Sequence, residues 1–273
     1  MIKTIHLFPE LNSSLLKVIS EMKAEDWNVK TQFPRWTVKD IFAHLLDTSI
    51  RRLSSERDHF ESIINHSINT YQELIDHITK LADQWAYSFS NVSPKILAEM
   101  IEKYQNELYE YLSTLDPFGK ARFPVSWAGE ESSRNWFDIA REYTERWHHQ
   151  MQIREALGKE PLYQKELYYP VLDTFMQALP YHYKNIEKED GYTLGIEIVG
   201  ESGGIWFLEW NKEERLLKYE VKKKPNTIVK IDQEVAWKIF TQWNNLNLGN
   251  KVIISGDKEV GEHVLSMTCI IIN

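Results

Sequence analysis

Cysteine is nearly missing from this 273-residue chain. Cys269 is the only one, which excludes an internal disulfide framework and fits a reducing, cytoplasmic setting. It lies in the apolar run MTCIII near the end of the sequence, where a buried, inert thiol is the expected state, because reactive thiols occupy electropositive, partly exposed surroundings. Long apolar runs are lacking too. Mean hydropathy is -0.45, no stretch is long enough to cross a bilayer, and the opening MIKTIHLFPELNSS has no continuous apolar segment of the secretory kind. Positive charge is in deficit, with a net charge of -8 and a pI near 5.7. Local clusters such as Lys222–Lys224 are too small for phosphate-backbone binding, so nucleic acid is not an expected partner, and neither is a membrane. Internal repeats, low-complexity tracts, a P-loop and a GxGxxG after a strand are all missing. What remains is a chain that is 42% hydrophobic and 12% aromatic, a composition that packs, and long enough for two cores.

Read in order, the first part has helical periodicity. Leu11–Trp27 carries apolar residues at Leu15, Leu16, Val18, Ile19 and Met22, with Asn12 or Ser13 placed to cap. The segment NVKTQFPRW is a loop. Thr37 and Asp40 form an N-terminal capping pair for a helix running to about Phe60. A third helix is expected over Thr70–Phe89, and a fourth from Pro94 to about Leu115, with Pro94 in its first turn. The stretch DPFGKARFPVSWAGEESS is the longest non-periodic segment of the first half, and a long ordered loop is more often functional than idle. A helix over Asn135–Leu157 follows, stopped by Gly158. KEPLYQKELYYP reads as a linker to a helix near Pro170–Tyr183. Beyond it the period changes from 3.6 to 2, with strands over Tyr192–Val199, Ile205–Trp210, Leu216–Val221 and Thr227–Ile231. Asp232 caps a helix through Trp243, Lys251–Ile254 restarts a strand, a short helix spans Glu259–Ser266, and TCIII is strand-like. The expected boundary puts residues 1–164 in a helical domain and 165–273 in an α+β domain.

Nine histidines and many glutamates make about one ExxxH pair a chance event. Three occur: Glu73/His77, Glu145/His149 and Glu259/His263. Residues four apart share a helix face, so each pair could hold an ion. On the helix starting at Val38, the residues Val38, Phe42, Leu45, Leu46 and Leu53 form the apolar face, whereas His44 shares the other with Asp40, Thr48 and Arg51. On the later helix Trp136, Tyr143 and Trp147 lie opposite Glu145 and His149. Two readings stay open. Both polar stripes can face water, or they can face each other across a polar cleft, where bundle metal sites are built. Glu73/His77 reads as a solvated pair and Glu259/His263 as structural. His148 is expected to point about 100° away from His149 and to miss the same ion.

Together WTVKDIFAHLLD (Trp36–Asp47) and REYTERWHHQMQIREALG (Arg141–Gly158) resemble segments of the DinB-like superfamily, more narrowly the mycothiol-dependent maleylpyruvate isomerase family. There a W-T-V-x-D-x-x-x-H-L helix supplies one histidine and a later helix supplies E-x-x-x-H before an I-R-x-A-L-G-like run. The resemblance covers nearly the whole chain. It implies a multi-domain protein, an N-terminal all-α DinB-like four-helix bundle followed by a smaller α+β sterol-carrier-like domain. It also implies His44, Glu145 and His149 as ligands of a divalent ion. Gln152 stands where the family often has Asp. In the family a P-x-x-W-x-G loop runs beside the metal, which makes Trp127 a candidate wall of the cleft.

Two histidines and one carboxylate leave coordination positions for water or substrate. The set suits zinc, and also iron or nickel. The resemblance implies a low-molecular-weight thiol cofactor and a small, anionic substrate, in thiol S-transfer or cis–trans isomerisation. Asp47, Arg51, Arg141 and Arg154 are further candidates for the site or for anion binding. A non-catalytic metal or apolar-ligand binding protein and a metal-dependent hydrolase are the alternatives.

Overall fold

The computed structural model describes residues 1–32, 35–61, 70–212, 214–243 and 245–270. The chain forms two compact units, one of residues 3–122 and 142–162, the other of residues 1–2, 123–141 and 163–272.

The first unit is helical. Its elements are α1 (Phe8–Glu21), α2 (Val38–Arg52), α3 (Tyr71–Phe89), α4 (Pro94–Ser113) and the larger part of α5 (Asn135–Ala156). Helix α1 begins three residues earlier than expected, because Pro9 fits the first turn, where no backbone donor is needed. Helix α2 opens on a capping box. The Thr37 amide donates to Asp40 Oδ2 at 2.8 Å and the Asp40 amide to Thr37 Oγ1 at 3.3 Å. The helix stops at Arg52 rather than near Phe60, since the ladder slips to a π turn over Leu53–Arg57. The loop before α2 contains Phe33 and Pro34, which lie outside the described residues.

Helix α5 ends in a complete Schellman motif. The Lys159 amide donates to the Arg154 carbonyl at 2.8 Å and the Gly158 amide to the Glu155 carbonyl at 3.2 Å, with Gly158 at φ +60°. Leu15, Trp27, Trp36, Val38, Phe42, Leu45, Leu97, Ile101 and Ile153 belong to the core of this unit. Tyr143 and Trp147 are fully buried as well. So are many polar residues of α5, among them Glu142, Arg146, His148, His149, Gln150 and Gln152. A helix buried around most of its circumference is an interior element, and its polar groups must pair with other protein groups.

The second unit contains a five-stranded sheet in the order β3-β2-β1-β4-β5. The strands are β1 (Thr193–Val199), β2 (Gly204–Asn211), β3 (Glu214–Lys218), β4 (Thr227–Asp232) and β5 (Val252–Ser255). β1 and β4 run parallel and the other pairs antiparallel. Period-2 alternation puts Leu194, Ile196 and Ile198 in register with Trp206, Leu208, Val229 and Ile231, all buried. The helices are α6 (Lys165–Met176), α7 (Leu179–His182), α8 (Gln233–Phe240) and α9 (Lys258–His263). Helix α6 begins five residues before the expected Pro170, which it carries inside. Its Asp173 accepts from Trp206 Nε1 at 2.9 Å, and the ring of Phe175 meets that of Phe240 on α8. The part of TCIII within the described residues, 268–270, is not a strand, and the remainder lies outside them. Cys269 is buried and burial pushes its thiol pKa up, the inert state expected of it.

Candidate metal centre

Helices α2 and α5 meet through polar rungs. His44 faces His149, with ring centroids 4.7 Å apart and the planes at 72°. Ser49 Oγ accepts from Arg146 Nη2 at 2.9 Å, and Arg52 Nη1 donates to Glu142 Oε2 at 3.3 Å. The order 44, 49, 52 on one helix against 149, 146, 142 on the other is an antiparallel ladder. Of the two expected polar stripes, His44 and His149 face each other, while the other rungs come from Ser49, Arg52, Glu142 and Arg146, which lie outside those stripes.

Glu145 joins the histidine rung. Its Oε2 lies 3.7 Å from His149 Nε2, close to the roughly 3.4 Å that separates two ligands bound to one tetrahedral ion. The other ring nitrogen of His149, Nδ1, is 2.8 Å from Gln152 Oε1. An amide oxygen accepts only, so Nδ1 carries the proton and the Nε2 lone pair faces Glu145, the arrangement in which a second group orients a metal-binding imidazole. His44 Nδ1 is buried and has no hydrogen-bond partner among the described residues. Trp36 walls the rung, its ring 5.1 Å from His44 and 6.5 Å from His149. Trp36 is itself held by Nε1 donating to Asp83 on α3 at 3.3 Å.

Burial makes these histidines poor bases. His149 falls to about 4, and His44 and His148 lie well below the ordinary value, in each case chiefly because a buried imidazolium loses its hydration. Neutral imidazoles keep the lone pair that a divalent ion needs. The residues thus fit such an ion by donor type and protonation state, and the three whose ligand atoms lie within 4.8 Å of one another are Glu145, His148 and His149, without His44.

His148 departs from expectation. One potential ligand atom from each of Glu145, His148 and His149 lies within 4.8 Å of the others, and the His148 and His149 rings are 5.0 Å apart. The 100° offset applies to the directions in which neighbouring side chains leave the helix, and two torsions let an imidazole swing back across it. The structure thus groups Glu145, His148 and His149, and sets the His44 ring against that of His149.

The remaining candidates are occupied. Asp47 is fully buried and accepts both Nε and Nη2 of Arg51, at 2.6 and 2.7 Å; burial raises its pKa and Arg51 opposes the rise. Arg154 ties the end of α5 to α1, donating to Ser14 Oγ at 2.7 Å, to the Glu160 carbonyl at 2.7 Å and to Gln150. Arg141 and Trp127 belong to the second compact unit. There Arg141 pairs with Asp138 at 2.6 Å and Trp127 stands edge-on to Phe137. Glu73 is engaged in the capping box of α3, accepting from the Thr70 amide at 3.1 Å. His263 stacks on His182 at 4.2 Å, and each Nε2 meets the other's carbonyl oxygen. Sequence reasoning missed Trp36 as a wall and Arg146 as a neighbour of the histidines. The visible signal for Arg146 was its i,i+4 spacing from Glu142.

Fold and site define a class: a chain with a helical unit bearing a buried His/Glu cluster and an α+β unit. No helix among the described residues is long and apolar enough to cross a membrane. No protein-family model matches the chain, and no curated protein matches it. Among solved structures it is similar to a crystal structure of the mycothiol-dependent maleylpyruvate isomerase, with a TM-score of 0.56 and 11% identity over 92% of this chain and 91% of that one. A variant of that enzyme with alanine replacing a histidine matches at the same TM-score and coverage, with 10% identity. The chain has the fold of this isomerase.

Proposed function

We propose that the protein binds one divalent ion through His44, Glu145 and His149 and serves thiol chemistry, either S-transfer to a small molecule or cis–trans isomerisation of one. The observation that carries the reading is the pairing of two buried, neutral imidazoles with a carboxylate across α2 and α5, in a fold shared with a thiol-dependent isomerase. In this reading residues 1–164 carry the ion, and 165–273 supply most of the α+β unit, which also takes in residues 123–141. Zinc is the ion of choice for two imidazoles and a carboxylate with an open position. When bound, it supplies a site where a thiol is held as thiolate near neutral pH.

The chain's own residues do the rest. Gln152 holds the His149 tautomer, Trp36 limits water at the histidine rung, and Glu145 offsets part of the ion's charge. Cys269 is buried in the other unit with its pKa raised, so the thiol comes from a small molecule, which suits a reducing, cytoplasmic compartment. The test is cobalt substitution followed by titration with small thiols. A saturable, intense charge-transfer band that is lost in Glu145→Ala is the expected result. An unchanged spectrum together with turnover of an ester or amide would instead establish metal-water hydrolysis.

A further inference from the structure

The rungs that accompany the histidines between α2 and α5 are ionic. Arg52 Nε lies 3.2 Å from Glu56 Oε1 in the π turn, and Arg52 Nη1 reaches across to Glu142 Oε2 on α5 at 3.3 Å. The other oxygen of Glu142, Oε1, accepts from Nε and Nη2 of Arg146 at 3.0 and 2.9 Å. Arg146 Nη2 crosses back to Ser49 Oγ, whose own proton goes to the Leu45 carbonyl at 2.8 Å. Charges thus alternate from Glu56 through Arg52 and Glu142 to Arg146, and the last three residues are buried.

Such a chain adds little net stability, because taking ions out of water costs about as much as their attraction returns. Arg146 Nη1 raises the cost, being buried with no hydrogen-bond partner among the described residues. What the chain does supply is direction. Apolar surfaces attract in any register, whereas a guanidinium fork meets a carboxylate in a fixed geometry. From Arg52 back to His44 the axis of α2 advances about 12 Å, and from Glu142 to His149 that of α5 advances about 10.5 Å. With spans so nearly matched, the ion pair at one rung fixes which residue of α2 stands opposite His149. A slip of one residue would turn His44 about 100° away from it.

We propose that Arg52, Glu142 and Arg146 are positioning residues, whose ion pairs set the register of α2 on α5 and so hold His44 against His149 for the ion. The role of the rung rests on the metal reading above; what sets the rung rests on the ladder alone.

The test separates register from stability and from metal. In metal-free full-length protein labelled with 13C- and 15N-histidine, ring centroids 4.7 Å apart should give a nuclear Overhauser effect between the His44 and His149 rings. Arg52→Met should lose it, and Arg52→Lys, which keeps the charge opposite Glu142, should recover it. Cobalt titration should follow the same pattern, with affinity about tenfold weaker in Arg52→Met and restored in Arg52→Lys. The triple variant Arg52→Met, Glu142→Leu, Arg146→Met removes the chain without stranding a buried charge. It should keep the wild-type urea midpoint, lose the ring-to-ring effect and bind cobalt as weakly as Arg52→Met. Should either of these two variants fail to fold, the other decides. A ring-to-ring effect unchanged in the variant that folds overturns the proposal, and so does its absence from the wild type. A wild-type protein that shows the effect and takes up no cobalt sinks the metal reading alone, because the histidine signals report the register without an ion.

Discussion

Acid should unfold the metal-free protein earlier than its carboxylates require, and His149 sets the size of the effect. Its pKa drops from 6.5 to about 4 on folding because the buried ring cannot be solvated as a cation. Between those values the unfolded chain binds a proton that the folded chain refuses, so stability falls as pH drops from 6.5 towards 4 and levels off below. At about pH 5 the difference amounts to about 2 kcal/mol from His149 alone, a large part of the net stability of a domain. His44 and His148 act with the same sign. Asp47 acts oppositely, since its folded pKa is raised and protonation favours the native state above its unfolded value of 3.8. The assay is urea unfolding of chelated wild-type protein and of His149→Gln at about pH 7.5 and about pH 5. The wild type should lose about 2 kcal/mol more than the variant between the two conditions, which isolates the one imidazole from every other titrating group. Saturation with zinc should raise stability at both pH values and leave the fall towards pH 5 in place, because a metal-bound imidazole stays neutral while the unfolded chain still takes up the proton. Equal losses in wild type and variant would show that His149 is not desolvated as the structure has it.

Replacing His44, Glu145 or His149 by Ala should strip most of the divalent ion, whereas His77→Ala, His263→Ala and His148→Ala should keep it. Elemental analysis of protein purified without a metal-affinity tag decides, and equal metal in all six variants would refute the ligand set. Two glycines should separate backbone strain from crowding. At Gly158, φ is +60° and a Cβ would meet nothing within 4 Å, so Gly158→Ala should cost about 1 kcal/mol. At Gly129, φ is +79° and a Cβ would lie 2.2 Å from Tyr181 Cδ2, so Gly129→Ala should cost on the order of 3 kcal/mol. Similar urea midpoints for the two variants would count against that packing.

Local rules sufficed for much of the molecule. Thr37 and Asp40 announced the start of α2, Gly158 the end of α5, and the change of hydrophobic period near Tyr192 the onset of the sheet, because capping, left-handed backbone and side-chain alternation depend on neighbours in sequence. The sequence also contained the pairing of Glu145 with His149, one helical turn apart, and the histidine of α2 that a family resemblance sets beside them. It left undecided whether the polar stripes of α2 and α5 face water or each other, since a helix's periodicity says which residues share a side and nothing about what lies opposite. Only the tertiary structure buries His44 and His149 against each other, and burial is what keeps His44, His148 and His149 neutral. The same holds for His148, whose ring position depends on torsions and packing beyond its helical angle, and for Arg146, whose unused nitrogen exists only because Glu142 and Ser49 take the other two. That residues 123–141 pack in the unit with the sheet is a further outcome of long-range contacts, which no local pattern in a Pro- and Gly-rich loop encodes.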